Sequence, residues 1–154
     1  MRFSIQREVL LKPLTQVVGV VERKQALPVL ANILISVRGD RVGFTGSDLE
    51  VELSANCLAE KTDDGEITVP ARKLFDIVRA LPDGSVVDVS QSGDRVTVKA
   101  GRSRFTLSSL PANEFPTVDD LDVVERVSLA DLVAGAEWAV EIVRVAAQGA
   151  GQAQ

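Results

Sequence analysis

Gly39-Asp40-Arg41-Val42 returns unchanged as Gly93-Asp94-Arg95-Val96, fifty-four residues further on. The likeness extends outward from both tetrapeptides. A strand-like run precedes each copy, Leu34-Ile35-Ser36-Val37 and Val86-Val87-Asp88-Val89. An alternating run follows each, so that Val51 and Leu53 align with Phe105 and Leu107. A helical stretch stands upstream of both. A repeat of this length describes one supersecondary unit built twice, and a unit that cannot bury its apolar face alone must stack on its copy.

Reading outward from the repeat, residues 1–6 alternate like a strand. A helix is expected from about Arg7 to Val21, with Val9, Leu10, Leu14, Val17, Val18 and Val21 as its apolar stripe and Pro13 inside it. Lys12, Gln16 and Gly19 fall on its polar side. Glu22 to Pro28 reads as a polar connector, and strands are expected at 29–37, 41–46 and 49–59. The second copy offers a short strand at Ile67-Thr68-Val69 and a helix from Ala71 to Leu81, with Pro70 at its first turn, where a missing N–H is harmless. Arg72, Asp76 and Arg79 share one face of that helix at spacings of four and three. Strands at 85–90, 95–100 and 103–110 complete it. Each unit thus reads βαβββ, and the expected fold class is α+β: two helices on one face of a domain and antiparallel sheets on the other.

Pro111 to Asp122 loses periodicity and gains prolines and acids, as a linker does. Val123 to Val127 reads as the opening of a further unit, and Ser128 with Asp131 predicts a helix from there to about Ala147, with Trp138 on it. The expected organisation is a domain over 1–118, a linker and start of a second domain over 119–127, and a remnant helix with a frayed tail over 128–154.

The 154 residues carry a net charge of -5, which argues against a nucleic-acid ligand. The distribution argues the other way. Residues 1–24 sum to +3 and 69–104 to +3, whereas 25–68 sum to -5 and 105–154 to -6. The positive segments hold the two predicted helices. An acidic chain presents a basic surface if those helices share one side, because screening over about 8–10 Å makes local charge count for more than the total. No apolar run approaches the roughly 18 residues of a membrane span, and the N-terminus lacks the apolar stretch of a signal peptide. A single cysteine, Cys57, excludes an internal disulfide and fits a reducing compartment.

Catalytic chemistry finds little support. The chain has no histidine and no tyrosine, Cys57 has no activating partner, and no glycine-rich loop ends in the lysine and hydroxyl of a phosphate-binding turn. Cys57 reads as a small apolar strand residue. Asp48, Glu50 and Glu52 alternate along a predicted strand and would share one face, an arrangement open to a hard divalent cation but more often a solvated face. Asp119, Asp120 and Asp122 sit in the linker and read the same way. No metal, cofactor or catalytic residue is therefore expected. Lys99 to Leu110 says more: alternation puts Arg102 and Arg104 on one side of a strand and Phe105 and Leu107 on the other. If that strand is an edge, its unpaired backbone invites another chain and its arginines select an acidic one.

Several stretches, taken together, resemble the N-terminal domain of the bacterial DNA polymerase III beta subunit, the replicative sliding clamp. They are Arg7-Glu8 with Leu10-Leu11-Lys12-Pro13-Leu14, Leu27-Pro28-Val29-Leu30, Thr45-Gly46-Ser47-Asp48-Leu49-Glu50, Val69-Pro70-Ala71-Arg72-Lys73, Gly101-Arg102-Ser103-Arg104-Phe105 and Leu110-Pro111-Ala112-Asn113-Glu114-Phe115-Pro116. They span roughly residues 1–120 in family order. The resemblance implies a DNA-clamp fold, in which chains of three such domains close head to tail into a ring, helices lining the hole. It implies a non-catalytic processivity factor in the cytoplasm, associated with the nucleoid, that slides on duplex DNA through weak phosphate contacts. The nucleotidyltransferase of the holoenzyme lies in another subunit.

By the same resemblance Lys24, Arg23, Arg72, Arg79 and, less closely matched, Lys12 face DNA. Lys73, Arg102, Arg104, Phe105 and Leu107 fall on the interface that meets acidic residues of another subunit's third domain. Polymerase and clamp loader are partners of the full-length protein. After about Val140 the chain departs from the family pattern, and the second and third domains do not follow. The expectation is a truncated clamp that does not close a ring alone. The alternative is a short form that binds a full-length clamp through its edge strand and interferes with closure.

Overall fold

The computed structural model describes residues 1–21, 27–116, 123–128 and 138–145. The first repeat runs β1 (Arg2–Gln6), α1 (Arg7–Val18), β2 (Asn32–Arg38), β3 (Arg41–Ser47) and β4 (Val51–Leu58). A short β5 (Glu60–Asp63) leads to the second repeat: β6 (Gly65–Pro70), α2 (Ala71–Ala80), β7 (Val86–Ser92), β8 (Arg95–Ala100) and β9 (Ser103–Ser108). Beyond these lie β10 (Val123–Ser128) and β11 (Trp138–Val145). The two Gly-Asp turns match: Gly39 and Gly93 have φ of 60° and 61°, and each reverses one strand onto the next. A residue with a Cβ loses about 1–2 kcal/mol in that left-handed conformation.

The repeats exchange their first strands. One sheet has the order β5-β1-β7-β8-β9 and the other β10-β11-β4-β3-β2-β6, with every neighbouring pair antiparallel. β1 pairs with β7 of the second repeat, Phe3 opposite Val89 and Ile5 opposite Val87. β6 pairs with β2 of the first, Val69 opposite Ile33 and Ile67 opposite Ile35. One core results. Leu10, Leu14 and Val17 of α1, Leu74 and Val78 of α2, and the inward residues of both sheets all belong to a single buried cluster. The Phe3 and Phe44 rings, one from each sheet, meet edge to face at 6.2 Å.

Four readings need correction. The strand expected from Val29 begins at Asn32, because Pro28–Ala31 form a 3-10 turn led by the proline. β5 was not expected at all: Glu-Lys-Thr-Asp has no apolar alternation, and it is held through β1, with Arg2 opposite Asp63. Asp48, Leu49 and Glu50 form a turn rather than a strand face; Asp48 Oδ1 accepts the N–H groups of Glu50 (2.9 Å) and Val51 (2.8 Å). The helix expected over 128–147 is contradicted where the chain is described, since Trp138–Val145 is a strand between β4 and β10. Two reasons favour the strand. Val140, Ile142, Val143 and Val145 are β-branched, and β4 would otherwise leave a row of backbone groups unpaired. Residues 129–137 and 146–154 of that expectation lie outside the described residues.

Candidate functional site

The two helices lie side by side and antiparallel, pinned at both ends. At one end Arg72 Nη2 donates to the carbonyl of Val21, just past α1, at 3.3 Å. At the other, Arg7 spreads its guanidinium over the end of α2. Its Nε donates to the Val78 carbonyl (2.9 Å), its Nη2 to the Arg79 carbonyl (2.8 Å), and its Nη1 to the Asp83 carboxylate (3.0 Å). Glu8 Oε1 accepts the Gly84 N–H at 2.9 Å. The last carbonyls of a helix lack internal partners and carry partial negative charge, so a cation there satisfies both needs. Arg7 was not singled out from sequence. The signal was its position, a basic residue opening a helix whose own dipole disfavours it.

Because the buried residues of both helices enter one core, their opposite sides face solvent together. Lys12 of α1 and Arg72, Lys73 and Arg79 of α2 are all exposed there. Arg79 is the most constrained: its guanidinium lies 5.3 Å from the centre of the Phe75 ring and 3.5 Å from Asp76. That ion pair is well exposed and contributes little to stability, but it sets the direction of the side chain. A shallow pocket on α1 is lined by Glu8, Leu11, Lys12, Thr15 and Gln16. Arg23 and Lys24 lie outside the described residues.

Of the second group of expected residues, all but Lys73 lie in β9 or the turn before it, at one end of the five-stranded sheet. β9 is its terminal strand and, among the described residues, pairs only with β8. Arg104 stands opposite Lys99 in that register, and Arg102 sits in the preceding turn rather than in the strand. Like charges directly opposite one another destabilise a pair of strands, and Asp88 of β7 stands opposite Lys99 on its other side. Phe105 is 37% exposed, large for a phenylalanine, whereas Leu107 is buried in the core at 5%. Lys73 is exposed on α2. Thus Arg102, Arg104 and Phe105 are accessible at the edge, and Leu107 supports them from beneath.

Burial pushes the Cys57 thiol up to about 12, leaving it protonated and inert at neutral pH. Among the described residues no three acidic, cysteine or histidine side chains gather as a metal site, and no helix is long and apolar enough to cross a membrane.

A family model for the DNA polymerase III beta subunit, N-terminal domain, matches residues 1–119. The beta sliding clamp of Pseudomonas putida is 58% identical over 121 residues, which are 78% of this chain and 33% of that protein. The beta sliding clamp of Escherichia coli is 48% identical over the same shares of the two chains. Among solved structures, the DNA polymerase III subunit beta of Pseudomonas aeruginosa is 53% identical with a TM-score of 0.78, covering 86% of this chain and 36% of that one. The pol III beta of Caulobacter crescentus is 45% identical with a TM-score of 0.77, covering 83% and 35%. This chain spans about a third of the length of the curated relatives it matches.

Proposed function

Because this chain belongs to the DNA polymerase III beta subunit family, we propose that it serves as a first domain of a sliding clamp, a processivity module without catalysis of its own. The observation that carries this is the antiparallel helix layer with Lys12, Arg72, Lys73 and Arg79 exposed on it. In this reading Lys12, Arg72 and Arg79, with Arg23 and Lys24 next to α1 in sequence, meet the phosphates of duplex DNA. Cations on flexible stems read charge and not bases, so the contact is sequence-independent and allows sliding. Catalysis falls to another subunit, and encirclement, polymerase docking and loading belong to the closed ring.

The edge at β9 is the complementary half of the proposal. There Lys73, Arg102, Arg104 and Phe105, with Leu107 beneath, receive an acidic strand of another clamp subunit. Main-chain bonds supply much of the affinity of such an edge, and the arginines select its partner.

The helix-layer reading is tested by fluorescence anisotropy of labelled duplex DNA against this chain at several salt concentrations. Binding should be weak and fall as salt rises, with the log–log slope shrinking by about one for each phosphate-contacting residue removed. The triple reversal Lys12→Glu, Arg72→Glu, Arg79→Glu should abolish it. Binding that survives the reversal with its salt slope intact would sink the assignment.

A further inference from the structure

The exposed side of the helix layer is not uniformly basic. Asp76 of α2 follows Arg72 by four residues and precedes Arg79 by three, and all three are exposed. Its Oδ1 lies 3.5 Å from Nη2 of Arg79, with the two side chains 63% and 65% exposed, so a phosphate can reach both partners. The same guanidinium rests 5.3 Å from the centre of the Phe75 ring.

The other cations of the layer are placed differently. Arg72 donates to a neutral partner, the Val21 carbonyl. Glu8, which shares a pocket with Lys12, is engaged by Arg7 at 3.2 Å and by the Gly84 N–H. Among the described residues, Arg79 alone of Lys12, Arg72, Lys73 and Arg79 has a carboxylate within ion-pair distance. An exposed pair of this kind contributes little to folding. Its effect on an incoming anion is larger. A phosphate must share the donors of Arg79 with Asp76, and a cation already half neutralised releases fewer counterions when it binds. The guanidinium has five N–H donors, so the contact is weakened and not blocked.

We propose that Asp76 is a built-in competitor of phosphate at Arg79, a positioning residue that lowers the grip of the helix layer on DNA and keeps that contact exchangeable. The proposal rests on the reading of the helix layer as the DNA-facing surface and adds the residue that limits its affinity.

The test is a salt titration of labelled duplex DNA binding by anisotropy, with the whole chain, Asp76→Asn, Asp76→Ala, Arg79→Gln and the double variant Asp76→Asn, Arg79→Gln. Asp76→Asn keeps the shape of the side chain and removes its charge. Either Asp76 variant should tighten binding about two- to fivefold at low salt. The log–log salt slope should steepen by up to about one. In the Arg79→Gln background, Asp76→Asn should lose most of its effect. Undiminished tightening there would overturn the proposal, because Asp76 would then act on phosphate directly and not through Arg79. No tightening by either Asp76 variant, with the triple reversal of Lys12, Arg72 and Arg79 still abolishing binding, would also overturn it while leaving the DNA-facing layer in place. Binding untouched by the triple reversal would remove the layer reading and this proposal together.

Discussion

β4 and β9 hold matching places in the two repeats, yet β4 lies inside its sheet and β9 ends the other. Their inward residues behave alike: Leu53 and Leu107, fifty-four positions apart, are 6% and 5% exposed. Their outer neighbours do not. β11 pairs along β4 from Val51 to Cys57, whereas among the described residues β9 has only β8. The repeat therefore fixes what each strand gives to the core, and the rest of the chain decides what becomes of its edge. Interiors differ as well. Gly46 stands where the second repeat has Ala100, and a Cβ at Gly46 would lie 2.9 Å from the Val17 carbonyl oxygen of α1.

The largest effect expected is on the shared core. Leu53→Ala and Leu107→Ala should each cost about 2–5 kcal/mol in urea unfolding, with similar values, because equivalent methyl groups leave equivalent cavities. A loss confined to Leu53 would break the comparison by showing that β9 contributes little to stability. Smaller and unequal effects are expected at the next pair. Gly46→Ala should cost about 1–3 kcal/mol because the backbone of α1 must move. Ala100→Gly should cost about 1 kcal/mol, from chain entropy and a lost methyl group. Equal costs would mean that α1 is not seated on β3 at Gly46.

The third effect belongs to the first repeat alone. Cys57 lies on β4 where the second repeat has Pro111, already past the end of β9. Its thiol is raised from 9.0 to about 12 by burial. A group whose folded pKa is raised stabilises the fold fully below the unfolded value and loses that contribution as pH climbs toward the folded one. Stability should therefore decline above pH 9 by up to about 1.4 kcal/mol per pH unit. Cys57→Ala should flatten that decline in denaturant titrations between pH 8 and 10.5. An unchanged slope would show that β4 opens to solvent as readily as an edge strand does.

Much of this was legible because the signals were local. The apolar stripe of α1 placed it to within three residues of its observed end, and Pro70 with the run to Leu81 placed α2 within one. The Gly-Asp turns located both long hairpins. What failed depended on neighbours: β5 has no pattern of its own, and β11 carries valines that suit either a buried helix or a strand. Of the site, the spacing of Arg72 and Arg79 announced a shared helical face. Arg7 was overlooked because its partners, the carbonyls of Val78 and Arg79, lie more than seventy residues away in the chain.

By itself the sequence determined the two βαβββ repeats, the turns that need a glycine, and the placement of positive charge on the helix-bearing segments. Tertiary structure alone decided that β1 joins the sheet of the second repeat and β6 that of the first. It also decided that β11 covers β4, while among the described residues only β8 pairs with β9. Periodicity along a strand records which face is buried but not which strand lies beside it, because backbone hydrogen bonds are the same for every sequence. The partner is chosen only when both repeats close over one core.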